Sequence, residues 1–123
     1  MRRSRALSVL SVCALVAASL AFREGTSQSQ APTYASVKPI FDRACIGCHQ
    51  SQAAMAGLRL DTYANIMKGS TSGKVIVPKK SGDSLLYKRI SGAKPPVMPP
   101  PGALPASEQK KIKDWIDSGA KER

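Results

Sequence analysis

Cys45-Ile46-Gly47-Cys48-His49 sets two thiols three residues apart and follows the second with an imidazole. On a helical turn, positions i, i+3 and i+4 project from one face, so the three side chains converge. C-x-x-C-H is the attachment signature of c-type haem: the thiols form thioethers with the porphyrin vinyl groups, and the histidine binds iron from the proximal side. The tether itself places the imidazole under the ring. The free histidine nitrogen then needs an acceptor, for which a backbone carbonyl is the expectation, although the sequence does not identify which one.

Three other chemistries use the same residue types. A zinc site takes about four ligands. His49 is the sole histidine, and beyond the N-terminal segment Cys45 and Cys48 are the only cysteines, so carboxylates would have to complete it. A thioredoxin-like redox pair places its nucleophile at a helix N-terminus in a βαβ setting; here the pair follows a helical pattern, and no strand pattern is present. A structural disulfide suits an exported chain but leaves the adjacent histidine unexplained. One covalently attached haem c accounts for all three side chains.

The N-terminus points to export. Arg2, Arg3 and Arg5 precede an uncharged run from Ala6 to Phe22, and Ser19-Leu20-Ala21 supplies small residues where a signal peptidase reads them. Residues 1–21 are therefore expected to be a cleaved signal peptide, with a periplasmic or otherwise extracytoplasmic product. The competing reading is an uncut membrane anchor, for which 17 residues is short against the roughly 20 that cross a bilayer. Cys13 as a lipoprotein acceptor is disfavoured by the bulk of Val12, and Arg2-Arg3 is not extended into a twin-arginine pattern. The formal charge of +11 falls to +8 once the three arginines go, leaving sixteen Lys and Arg against eight Asp and Glu. A basic chain suits an acidic partner or an anionic surface; without aromatic-basic interleaving in an exported chain, nucleic acid is the weakest partner class.

Residues 22–33 read as a flexible linker, and 34–123 as one domain with four short helical patterns and no strand of useful length. The first runs from Tyr34 to Ile46 with a stripe of Val37, Ile40, Phe41, Ala44 and Cys45. The second is Thr62–Lys68, with Asp61 as N-cap and Gly69 as stop. The third is Ser84–Ile90, capped by Asp83, with Leu85, Leu86 and Ile90 inward. The fourth is Ala106–Ser118, with Glu108 in its first turn, Ile112, Trp115 and Ile116 on one face, and Gly119 past its end. Long loops at Gln50–Leu60 and Ser91–Pro105 need something to pack against, and so small a core is expected to borrow a cofactor.

Haem iron held by histidine on one side takes Met or His on the other in electron carriers, or is left open in sensors and catalysts. There is no second histidine. Met55 lies six residues after His49, with little chain to round a porphyrin edge, and Met67 falls inside a helical pattern. Met98 has ample chain and sits in Lys94-Pro95-Pro96-Val97-Met98-Pro99-Pro100-Pro101-Gly102, where the prolines restrict φ and lower the entropy lost on ordering. The other reading of this stretch is a polyproline spacer or a P-x-x-P ligand, which does not explain the methionine. With His49 and Met98 both on iron the site is closed to substrate, so the chain is expected to be no enzyme but a carrier of single electrons between redox partners. The alternative is a haem-based sensor or small catalyst with an open or displaceable sixth ligand. Lys79, Lys80, Lys88, Arg89 and Lys94 flank the Met98 loop in sequence and are the expected contacts for an acidic docking surface or for haem propionates.

Several further motifs follow in order: Leu58-Arg59-Leu60-Asp61-Thr62, Val75-Ile76-Val77-Pro78, Ser84-Leu85-Leu86 with Arg89-Ile90, Met98-Pro99-Pro100 with Gly102, and Trp115-Ile116-Asp117 with Gly119-Ala120. Together with C-I-G-C-H they resemble the planctomycete-type cytochrome c domain over about Val37 to Ala120. The resemblance implies an all-α, small cytochrome c-like fold: about four short helices and long loops wrapped around one covalently attached haem. It also implies Cys45 and Cys48 as thioether sites and His49 and Met98 as axial ligands. Gln50 stands where the family often has glycine and Ile46 where an aromatic is common; neither is a ligand position.

Overall fold

The computed structural model describes residues 30–123. The expected signal segment, 1–21, and residues 22–29 of the expected linker lie outside the described residues. The domain is mostly helical. Helix α1 spans Tyr34–Ala44, and α2 spans Tyr63–Lys68. Helix α3 spans Leu85–Ile90, and α4 spans Ala106–Asp117. Two-residue strands β1 (His49–Gln50) and β2 (Ala53–Ala54) pair antiparallel, with His49 opposite Ala54. Single 3-10 turns lie at Met55–Gly57 and Ser81–Asp83. Among the described residues, no helix is long and apolar enough to cross a membrane.

The core lies where α1 meets α4. Val37, Ile40 and Phe41 of α1 and Ile112, Trp115 and Ile116 of α4 are buried, joined by Ile66 of α2 and by Leu86 and Ile90 of α3. Trp115 is its centre: Phe41 meets it nearly edge-on at 6.1 Å between ring centroids, and Tyr34 lies 6.1 Å away on another side. Tyr63 extends the cluster, 5.6 Å from Tyr34. The chain after α4 ties these elements together. The Lys121 carbonyl accepts from the Trp115 indole N–H and from the Tyr34 amide, both at 2.9 Å, and the Ala120 carbonyl accepts from the Tyr63 hydroxyl at 3.0 Å. Gly119 (φ 112°) permits the reversal that brings this segment back.

Three local expectations are corrected. Helix α1 ends at Ala44, not Ile46, because both the Cys45 and Ile46 amides turn onto the Phe41 carbonyl, at 2.9 and 3.1 Å. Pro39 sits inside α1 without ending it. The cap of α2 is Thr62, whose hydroxyl accepts from the Asn65 amide at 3.3 Å; Asp61 instead accepts from the Arg59 guanidinium at 2.6 Å and the Asn65 side-chain amide at 2.9 Å. At α3 the N-cap position belongs to Ser84, not Asp83, and Ser84 makes no capping bond. Its fully buried hydroxyl accepts from the Val77 amide and donates to the Lys80 carbonyl, each at 2.9 Å, fixing the turn that leads into the helix.

Replacing Ser84 with alanine orphans the part-buried Val77 amide. Urea unfolding of Ser84→Ala should show a loss of about 1–3 kcal/mol; an unchanged midpoint would show the bond to be dispensable. Acid acts elsewhere. Asp117 is held at about 2 by the Lys113 ammonium and by the backbone and hydroxyl donors of Ser81, and Asp61 at about 2 by Arg59 and Asn65. Both values lie below the 3.8 of a free aspartate. The associated stability is present above that value and lost as pH falls toward 2, and solvent exposure keeps it small. Asp117→Asn should therefore flatten part of the acid-side decline in denaturation midpoints, and an identical decline would assign that loss to other groups.

Candidate functional site

The C-x-x-C-H stretch leaves α1 as a separate turn. The Cys48 and His49 amides both donate to the Cys45 carbonyl, at 3.2 and 3.0 Å. This is the bonding of one helical turn, so the i, i+3, i+4 grouping expected on a helix survives outside it. The following hairpin folds back on the motif through the Met55 amide, which donates to the Cys48 carbonyl at 3.3 Å. His49 is fixed at two points by the next segment: its carbonyl accepts from the Leu60 amide at 2.8 Å, and its Nδ1 lies 3.2 Å from the Leu58 carbonyl. A carbonyl can only accept, so Nδ1 carries the proton in that bond, and Nε2 is left with a free lone pair. The carbonyl that the sequence left unidentified is that of Leu58.

Cys45, Cys48, His49 and Met98 all line one cavity of about 540 Å³, within the roughly 300–1,000 Å³ of ligand clefts. Its walls are mostly apolar. Phe41 and Ala44 come from α1, Leu58 and Leu60 from the loop after the hairpin, and Leu85, Leu86 and Ile90 from α3. The proline stretch supplies Pro96 and Pro99 to Pro101. The two long loops that needed something to pack against thus form walls of this cavity. Arg43 and Arg89 also line it. Arg43 was not singled out from the sequence, although its place two residues before Cys45 was a usable signal; it pairs with Glu108 of α4.

The other expected residues fall as follows. Met67 packs partly buried against the core. Met55 lines the cavity but is 61% exposed, the one exposed large apolar side chain among the described residues. Of the five cations expected around the Met98 loop, only Arg89 lines the cavity. Lys79 is instead tied toward the end of α4, where its amide donates to the Ile116 carbonyl at 2.7 Å.

The donor chemistry of the cavity fits a haem. Two thiols, an imidazole with its Nδ1 proton fixed and a thioether line an apolar hollow. The competing chemistries fit less well. Burial pushes the Cys45 thiol up to about 11, whereas a redox nucleophile needs a lowered pKa. Among the described residues, no three His, Cys, Asp or Glu side chains form a metal-binding group of the kind zinc requires.

Cys48 is exposed and Cys45 half-buried, so iodoacetamide at neutral pH should alkylate Cys48 of the reduced, haem-free protein well before Cys45. Peptide mapping showing the reverse order would contradict the placement of the turn. Comparison with known proteins bears on the same stretch: residues 45–102 match the family model of the planctomycete cytochrome C. The match starts at the first cysteine and ends just past the Met98 loop, a shorter span than the motif resemblance. No curated protein and no solved structure matches the chain. Over residues 45–102, the chain is similar to the planctomycete cytochrome C family.

Proposed function

We propose that the chain is an extracytoplasmic monohaem c-type cytochrome that carries single electrons between redox proteins. Cys45 and Cys48 would hold the haem through thioethers, and His49 and Met98 would ligate its iron. The observation that carries this reading is the convergence of all four side chains on one apolar cavity, with the Leu58 carbonyl fixing the His49 proton on Nδ1. The match of residues 45–102 to a cytochrome c family model also supports haem binding and electron transfer.

Bound haem iron supplies the redox chemistry, alternating between ferric and ferrous states by one electron. The chain's residues set the conditions. The Leu58 carbonyl orients the imidazole and raises its basicity. The thioether of Met98, as a weak donor, would favour the reduced state. The apolar walls exclude water and act in the same direction, by disfavouring the extra charge of the oxidised form. His49 and Met98 leave no position for substrate.

The partner is read as a redox protein with an acidic docking surface. Asp42, Glu108, Asp61, Asp114 and Asp117 are each engaged in an ion pair. Between residues 62 and 107 the chain has Asp83 as its only acid, against seven lysines and arginines, so positive charge dominates the part of the chain that includes α3 and the Met98 loop. Residues 1–21 as a cleaved signal peptide place the carrier outside the cytoplasm.

Absorption spectra of the haem-loaded protein, oxidised and reduced, test the ligand set. Met98→Ala should lose the methionine-to-iron charge-transfer band of the oxidised wild type; a mutant that keeps it excludes Met98 as the ligand. Carbon monoxide binding to reduced wild type at low concentration would favour the sensor reading.

A further inference from the structure

From Pro95 to Pro101, five of seven residues are prolines, so only Val97 and Met98 bring a backbone N–H to this segment. A chain this poor in donors cannot build its own hydrogen-bonded frame, and donors from elsewhere must meet its carbonyls. Gly102, next in the chain, closes a turn onto the Pro99 carbonyl at 3.0 Å. Beyond that turn, the hydrogen bonds that tie residues 95–101 to the rest of the described chain run to one residue. The Met98 amide donates to the Arg89 carbonyl at 3.0 Å, and Arg89 Nη1 donates to the Pro96 carbonyl at 3.3 Å.

Arg89 is well placed to hold this segment. It stands on α3 between Leu86 and Ile90, both buried in the core, so its backbone is fixed. It lines the same cavity as Met98 and forms no ion pair among the described residues, so its guanidinium is not drawn away by a carboxylate. The two bonds clasp the segment on both sides of Val97. Proline stiffness decides which shapes the loop can take; Arg89 decides where the loop sits.

We propose that Arg89 is the positioning residue for Met98: its bonds to Met98 and Pro96 latch the loop against α3 and keep the sixth iron position closed to outside ligands. The inference rests on the ligand assignment given above. The backbone half of the latch is insensitive to side-chain substitution, so the guanidinium half is the part that mutation can test.

The test uses oxidised, haem-loaded protein titrated with imidazole as the competing ligand, with Arg89→Met, Arg89→Lys, Lys94→Met and Met98→Ala beside wild type. Methionine keeps the apolar stem of Arg89 and its packing but has no donor. Losing one hydrogen bond from a charged donor, at the weak end of such bonds, should make imidazole bind about tenfold more tightly to Arg89→Met. Hydrogen exchange at the Met98 amide should accelerate with it. Arg89→Lys, which retains charge and donor, should stay near wild type. Lys94→Met should also do so, because Lys94 is tied to α3 only through its amide, bonded to the Lys88 carbonyl at 3.0 Å. If Met98→Ala opens the site and Arg89→Met does not, the latch alone is overturned. Equal effects in Arg89→Met and Lys94→Met would also overturn it, since charge and not the bond would then be responsible. If Met98→Ala binds imidazole no better than wild type, the ligand assignment fails, and the latch with it.

Discussion

The contact on which the rest depends is the Phe41 ring set nearly edge-on against Trp115. Phe41 is shared between two parts of the molecule: it belongs to the aromatic core and also lines the cavity. Its carbonyl receives the Cys45 and Ile46 amides, so the residue that locks α1 to α4 also sets where the helix stops and the C-x-x-C-H turn begins. A fully buried aromatic pair adds about 0.5–1.5 kcal/mol beyond its area burial. Its larger effect is geometric, because the turn inherits its direction from a residue that cannot move independently of the core.

The cavity is then closed by segments that have little regular structure. The hairpin and the Leu58–Leu60 stretch are held to the motif by bonds to Cys48 and His49, and the proline segment is held to α3 by bonds to Arg89. The cysteine and histidine side chains arrive from one sequence neighbourhood and the methionine from another, 49 residues on. The two are brought together because α3, carrying Leu86 and Ile90 into the core, presents Arg89 toward the same hollow. The long loops form walls of the cavity.

Much of this was legible in the sequence. The four helices followed from apolar spacing, since Ile112, Trp115 and Ile116, or Val37, Ile40 and Phe41, can face one way only on a helix. The grouping of Cys45, Cys48, His49 and Met98 could be anticipated from residue chemistry and elimination. What escaped was set by backbone atoms and by tertiary choice. Nothing in the letters marks the Leu58 carbonyl as the partner of His49, because every residue has one. Asp61 and Asp83 looked like caps; Asp61 was drawn to Arg59 and Asn65, and Ser84 took the position before α3 to anchor Val77. Lys79 is near Met98 in charge pattern but does not line the cavity, its amide being bonded to α4.

The central claim is that the two stretches meet on one iron. Iron-edge X-ray absorption of the oxidised, haem-loaded protein reads that shell directly. A single sulfur scatterer among nitrogen ligands in wild type, absent in Met98→Ala, is the result this account predicts. A wild-type shell of nitrogen and oxygen alone, unchanged by the substitution, would contradict it.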